Sequence, residues 1–96
     1  MGQYERVDLS EEEIVSKVEL SQNITRETVN LIKNLAVSKP NGRKHIGLFV
    51  KTANRTYNLS FRIAIVDCIR KHLPSCPKTV DVDLLNAWWK EFENPK

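Results

Sequence analysis

Two cysteines and two histidines are the side chains of this chain that could bind a metal through sulfur and nitrogen or act as a thiol nucleophile and its base. Cys68, His72 and Cys76 follow one another at four-residue spacing, and His45 is the other histidine. Zinc prefers thiolate and imidazole ligands, but no Cys-x-x-Cys pair anchors a site here, so we expect two free thiols. Cys68 and His72 also have the spacing of a histidine-activated thiolate, although a buried thiol beside a surface histidine accounts for the same pattern. We therefore predict neither a metal site nor a catalytic cysteine.

Other catalytic patterns are absent from the sequence. Its glycines, Gly2, Gly42 and Gly47, do not form a phosphate-binding loop. Asp81 and Asp83 are close together, but a helix start explains them better than a catalytic pair does. We expect a non-catalytic protein without a cofactor.

The centre of the chain is basic. No acidic residue occurs from Thr28 to Val66, although the formal net charge is only +3. This pattern favours binding of a polyanion, either an anionic membrane or nucleic acid. The candidate lipid- or phosphate-binding residues are Lys33, Lys39, Arg43, Lys44, Lys51, Arg55 and Arg62, followed by a second cluster at Arg70 and Lys71.

Length and composition indicate one small globular domain over residues 1–96, with a flexible segment at residues 1–9. Hydrophobic residues make up 41% of the chain and charged residues 28%. The start lacks the apolar stretch of a signal peptide, and no apolar run approaches the length of a membrane span. We therefore expect an intracellular protein that is soluble or held at a membrane surface.

Apolar spacing and capping signals predict a mainly α-helical bundle of four or five helices. The clearest helix follows Ser10, which forms a capping box with Glu13, and ends near Leu20. Three further helices are predicted over Thr25–Val37, Phe61–Leu73 and Asp81–Phe92.

The segment from Arg43 to Ser60 has two interpretations. Apolar residues alternate at Ile46, Leu48 and Val50 and again from Tyr57 to Phe61, which is typical of a β-hairpin near residues 46–61. A short helix followed by a loop is the alternative, and the sequence does not choose between them.

Trp88 and Trp89 are adjacent on the last predicted helix. Adjacent helical residues lie about 100° apart, so we expect one tryptophan in the core and the other half-exposed. The alternative is that one of them contacts a protein partner, since tryptophan is enriched at interaction hot spots.

The second half of the chain, roughly residues 56–95, resembles the matrix domain that opens retroviral Gag polyproteins, of the gamma- and betaretroviral type. The matching elements are a Thr-aromatic-Asn-Leu-Ser run, an apolar helix with an Asp-Cys pair, a proline-containing break, a tryptophan helix and an Asn-Pro stop. They stand at Thr56–Ser60, Ile63–Ile69, Asp67-Cys68, Pro74–Pro77, Trp88 or Trp89, and Asn94-Pro95. Many such proteins also begin Met-Gly-Gln, as this chain does.

This resemblance implies a small helical domain that brings a viral polyprotein to the inner face of the host membrane and aids virion assembly. Its partners would be anionic lipid and other copies of itself or a protein partner. Gly2 would be the lipidation position, although Arg6 stands where the usual signal has Ser or Thr.

Two alternatives stay open. A winged helix-turn-helix, placed in the nucleus or cytoplasm as a nucleic-acid binder, would use residues 13–20 and 25–35 as its helix pair and residues 43–61 as its wing. Its major-groove residues would be Thr25, Arg26, Thr28, Asn30 and Lys33. The chain also resembles, between Val66 and Lys71 and at Trp89, a helical protein-interaction domain of transcription elongation factors.

Overall fold

Five α-helices build the domain in a computed structural model that describes residues 5–38 and 42–94. They are α1 (Glu11–Leu20), α2 (Arg26–Ser38), α3 (Ile46–Arg55), α4 (Leu59–His72) and α5 (Val82–Glu93), with a 3₁₀ turn at Gly42–His45 before α3. Within these residues there is no strand. The prediction of a mainly α-helical bundle is confirmed.

Side-chain caps stand at the starts of α1, α4 and α5. At α1 the Glu13 amide donates to the Ser10 hydroxyl (3.1 Å) and the Ser10 amide donates back to the Glu13 carboxylate (3.0 Å). The hydrogen bond from the Ser10 backbone amide lowers the pKa of Glu13, and the Ser10 side chain acts in the same direction. Asn58 caps α4 and Asp81 caps α5. The predicted capping box is confirmed, and Asp81 acts as a helix cap.

The predicted hairpin is wrong, because residues 46–55 form helix α3. The alternation of Ile46, Leu48 and Val50 is incidental. The apolar residues that α3 buries are Ile46, Phe49, Val50 and Ala53, which share one side of a helix. Three residues then connect Arg55 to the start of α4, a short loop typical of antiparallel neighbours.

A single apolar core receives side chains from every helix. Phe49 is its largest fully buried side chain. Helix α5 contributes one fully buried residue, Leu85, so it is the least embedded of the five. Other core residues that are completely inaccessible are Ile14, Val18, Ile32, Leu35, Ala53, Ile65 and Ile69.

Two asparagines of α2 hold the segment before α1. The side chain of Asn30 exchanges two hydrogen bonds with the backbone of Glu5, both 2.7 Å. One turn later, Asn34 donates to the Glu5 carbonyl (2.9 Å) and accepts from the Val7 amide (3.1 Å). These contacts attach Glu5 and Val7 to α2. The expectation of a flexible segment at residues 1–9 stays a prediction, and residues 1–4 lie outside the described part of the chain.

Candidate functional site

One exposed face of α3 carries a row of cationic residues. Leu48, Lys51 and Arg55 are spaced by three and four residues, so they lie above one another on one side of α3. Lys44 precedes Leu48 by four residues, in the 3₁₀ turn before α3, and lines the same groove. Lys44, Lys51 and Arg55 are exposed, whereas Leu48 is half-buried. We call these four residues the α3 stripe. It exists because the opposite face of α3 is committed to the core.

The α3 stripe forms one wall of an open groove of about 930 Å³. Helix α1 contributes Val15 and Glu19 to the groove, and α5 contributes Asn86, Trp89 and Glu93. The groove thus combines three cations of the stripe with two carboxylates on its other walls, around an apolar strip of valine, leucine and tryptophan.

Polar and apolar contacts fix the walls of the groove. The side-chain amides of Asn54 and Asn86 exchange two hydrogen bonds of 2.8 Å, which join α3 to α5. The Trp89 ring lies over Gly47, because a β-carbon placed there would be 3.6 Å from the indole Cζ2 atom. The Arg55 guanidinium donates to the carbonyl of Ser21, where α1 ends. The α3 stripe is therefore held in a defined place between α1 and α5.

A carboxylate at the start of α1 meets the beginning of the stripe. The Glu11 Oε2 atom lies 2.5 Å from the buried His45 Nε2 atom and 3.6 Å from the Lys44 Nζ atom. The hydrogen bond with His45 lowers the pKa of Glu11, and the charge of Lys44 acts in the same direction. Glu11 thus partly neutralises the charge of Lys44, so the positive charge of the stripe is concentrated at Lys51 and Arg55.

The two tryptophans share their environment rather than dividing between core and surface. Both are half-buried, and both rings lie near Phe92, with Trp89 stacked on it at a centroid distance of 5.8 Å. The Trp88 Nε1 atom donates to the Ser75 hydroxyl (3.0 Å). The expectation of one core tryptophan is wrong, while a partner contact at these residues stays a prediction.

The other basic residues do not join the α3 stripe. Lys33 lines a separate groove between α2 and α4, next to Arg26 and Phe61. Lys71 is exposed at the end of α4. Lys39 and the side chain of Arg43 lie outside the described part of the structure. The basic segment of the sequence therefore does not fold into a single basic surface.

Arg62 and Arg70 bind the protein's own backbone, and their role as anion ligands stays a prediction. The Arg62 guanidinium donates to the carbonyls of Ala53 (3.2 Å), Thr56 (2.5 Å) and Val80 (2.9 Å). The Arg70 Nε atom donates to the carbonyl of Cys76 (3.0 Å). Both side chains are half-buried, so their donors serve to hold loops against α4.

Both cysteines are buried, and both histidines are hydrogen-bonded within the domain. Cys68 and Cys76 are buried free thiols, and burial raises the pKa of Cys68 to about 11. His72 bonds to the carbonyl of Ala36 and His45 to Glu11. Across residues 5–38 and 42–94, no group of three or more His, Cys, Asp or Glu side chains could hold a metal ion.

The winged-helix alternative keeps its helix pair, as α1 and α2, but loses its wing. Its wing is replaced by α3. Of its proposed base-contacting residues, Thr25 and Thr28 hydrogen-bond each other at the start of α2, and Asn30 binds the backbone of Glu5. Most of the proposed recognition surface is thus engaged within the domain.

The groove includes residues that the sequence analysis missed, namely Val15, Glu19, Leu48, Asn86 and Glu93. Of these residues, Leu48 could have been found from the sequence, since its spacing from Lys44, Lys51 and Arg55 is helical.

None of the described helices is long and apolar enough to span a bilayer. Comparisons of the chain with protein-family models, with curated proteins and with solved structures found no match.

Proposed function

We propose that this domain is a non-catalytic module that binds an anionic membrane surface through the α3 stripe, in the manner of a matrix domain. The observation that carries the proposal is the composition of one exposed helix face, with three cations around Leu48 and with Trp89 beside it. A surface of this kind suits the boundary between lipid headgroups and acyl chains, where cations meet phosphates and tryptophan is favoured.

The charges of the stripe give a rough size for the interaction. A lysine or arginine near an anionic leaflet contributes about 1 kcal/mol, so three contribute about 3 kcal/mol, on the order of a hundredfold in affinity. Glu19 and Glu93 line the same groove and oppose this attraction. A single domain should therefore bind weakly, and several domains on one assembly should bind much more tightly.

The structure of α2 and α3 favours a membrane over duplex DNA as the target. A DNA-reading helix needs free polar side chains that reach base edges. Here the side chains of Asn30 and Asn34 are hydrogen-bonded to the backbone of Glu5, and the segment that would form a wing is helical. The exposed cations instead surround apolar side chains, which lipid can accept.

Vesicle flotation over a salt series tests the proposal. We expect binding to phosphatidylserine-containing vesicles, little binding to phosphatidylcholine vesicles, and loss of binding as salt rises. Glu19→Gln removes one opposing charge and should strengthen binding, whereas Glu12→Gln, an exposed change outside the groove, should have a smaller effect. Absence of binding to the anionic vesicles, or transfer of all the protein to added duplex DNA, would contradict the proposal.

A further inference from the structure

A second surface of the domain, separate from the groove, exposes apolar side chains along α4. Leu59 and Ile63 are 54% and 45% exposed, and Tyr57, two residues before Leu59, is 94% exposed. Leu59, Ile63 and Asp67 are spaced by four residues, so they share one side of α4. Large side chains left exposed in a row commonly mark an interaction surface.

Ile63 and Asp67 form one wall of an open depression of about 450 Å³, and residues 78–80 form the facing wall. The arginines described above hold that wall in place. Arg62 binds the carbonyl of Val80 and Arg70 binds the carbonyl of Cys76, so residues 76–80 run along α4 in the opposite direction. Lys78 therefore lies level with the middle of α4, across the depression from Asp67.

The charges on the two walls of this depression are complementary to those of the same depression on a second copy of the chain. Asp67 and Lys78 are both exposed, and among the described residues neither forms an ion pair. A two-fold axis running along the depression would place each wall against the opposite wall of a second copy. Asp67 of each copy would then face Lys78 of the other, and Ile63 would face Val80. Each contact would occur twice, as two-fold symmetry requires.

We propose that the depression between α4 and residues 78–80 is a homodimer contact, with Ile63 and Val80 as its apolar centre and Asp67–Lys78 as its paired charges. The surface is small beside the roughly 1,200–2,000 Å² of a stable interface. The dimer is therefore weak in solution, and it strengthens where copies are concentrated on a common surface. This proposal does not depend on the membrane function of the α3 stripe.

Sedimentation equilibrium up to millimolar protein concentration tests the contact. Wild-type protein should show a reversible monomer–dimer equilibrium. Ile63→Glu places a charge at the centre of the contact and should raise the dissociation constant about tenfold or more. Leu20→Glu makes the same change at an exposed leucine on α1 and should leave it unaltered. Wild-type protein that stays monomeric, or a dimer that Ile63→Glu does not weaken, overturns the proposal.

A charge exchange tests the pairing independently of the apolar centre. Asp67→Lys and Lys78→Asp should each weaken self-association, since each places like charges opposite one another. An equimolar mixture of the two variants restores both pairs and should form a heterodimer. Circular dichroism would show that each variant is folded. A mixture that associates no better than either variant alone excludes the pairing of Asp67 with Lys78.

Discussion

The most informative perturbation is at Arg62, which belongs to the basic segment of the sequence and yet holds the fold together. Its guanidinium joins the end of α3, the following loop and the segment before α5 through three carbonyls. Arg62→Met keeps much of the apolar stem and removes all three hydrogen bonds. Arg62→Lys keeps the charge but lacks the planar fork that reaches the three acceptors.

The expected cost follows from these contacts. A hydrogen bond to a charged group contributes about 1.5–3 kcal/mol. Because Arg62 is half-buried, its hydrogen bonds to Thr56 and Val80 should each contribute about 1.5 kcal/mol, and the longer hydrogen bond to Ala53 should contribute less. Arg62→Met should therefore lose about 3 kcal/mol of unfolding free energy, and Arg62→Lys about 2 kcal/mol. In a domain of this size, about 3 kcal/mol lowers the Tm by roughly 12–24 °C.

Urea and thermal unfolding followed by circular dichroism would measure both variants. Arg55→Met is the matched control, because Arg55 is exposed and donates to a single carbonyl. It should cost less than about 1 kcal/mol. If Arg62→Met were as stable as the control, or if Arg62→Lys were as stable as wild type, Arg62 would not be the clamp described here.

Three further predictions follow from buried and paired groups. Asn34→Ala should cost about 1–3 kcal/mol of unfolding free energy, because it removes the acceptor of the Val7 amide and one of the two hydrogen bonds to the Glu5 carbonyl, and amide hydrogen exchange at Val7 should accelerate. The pKa of Glu11 is lowered in the folded state, so ionised Glu11 stabilises the fold at pH values above the pKa it has in the unfolded chain. This contribution to the free energy of unfolding is lost as the pH falls through the folded-state pKa. Glu11→Gln should therefore make the stability less dependent on pH in the acid range. Burial raises the pKa of Cys68 to about 11 and also raises that of Cys76, so both thiols should react slowly with a disulfide reagent at pH 8 until denaturant is added.

Local signals were sufficient to predict most of the helices. Ser10 and Glu13 form the expected capping box, and four helices lie close to their predicted bounds. The segment of α3 was ambiguous for a physical reason. A short apolar run fits the two-residue repeat of a strand and the roughly 3.6-residue repeat of a helix equally well. The helix is selected by the packing of Phe49 and Ala53 in the core.

The candidate site was only partly accessible to sequence analysis. The acid-free segment includes the cations of α3, but charge type alone does not distinguish a cation that faces solvent from one that binds carbonyls. Lys51 and Arg62 both belong to that segment, yet Lys51 is exposed, whereas Arg62 is half-buried and binds three backbone carbonyls. The acids of the groove, Glu19 and Glu93, lie far from the stripe in sequence, so only the packing of α1 and α5 brings them there.

The most direct test of the membrane proposal compares two charge reversals of equal size in vesicle flotation. Lys51→Glu with Arg55→Glu changes the α3 stripe, whereas Lys17→Glu with Lys71→Glu changes exposed lysines outside the groove. Both pairs alter the net charge equally and reverse a cation in the last turn of a helix. We expect the stripe variant to lose binding to phosphatidylserine vesicles and the other variant to retain most of it. Equal loss in both would show that binding follows net charge, and retention by the stripe variant would contradict the assignment of the α3 stripe as the membrane-binding face.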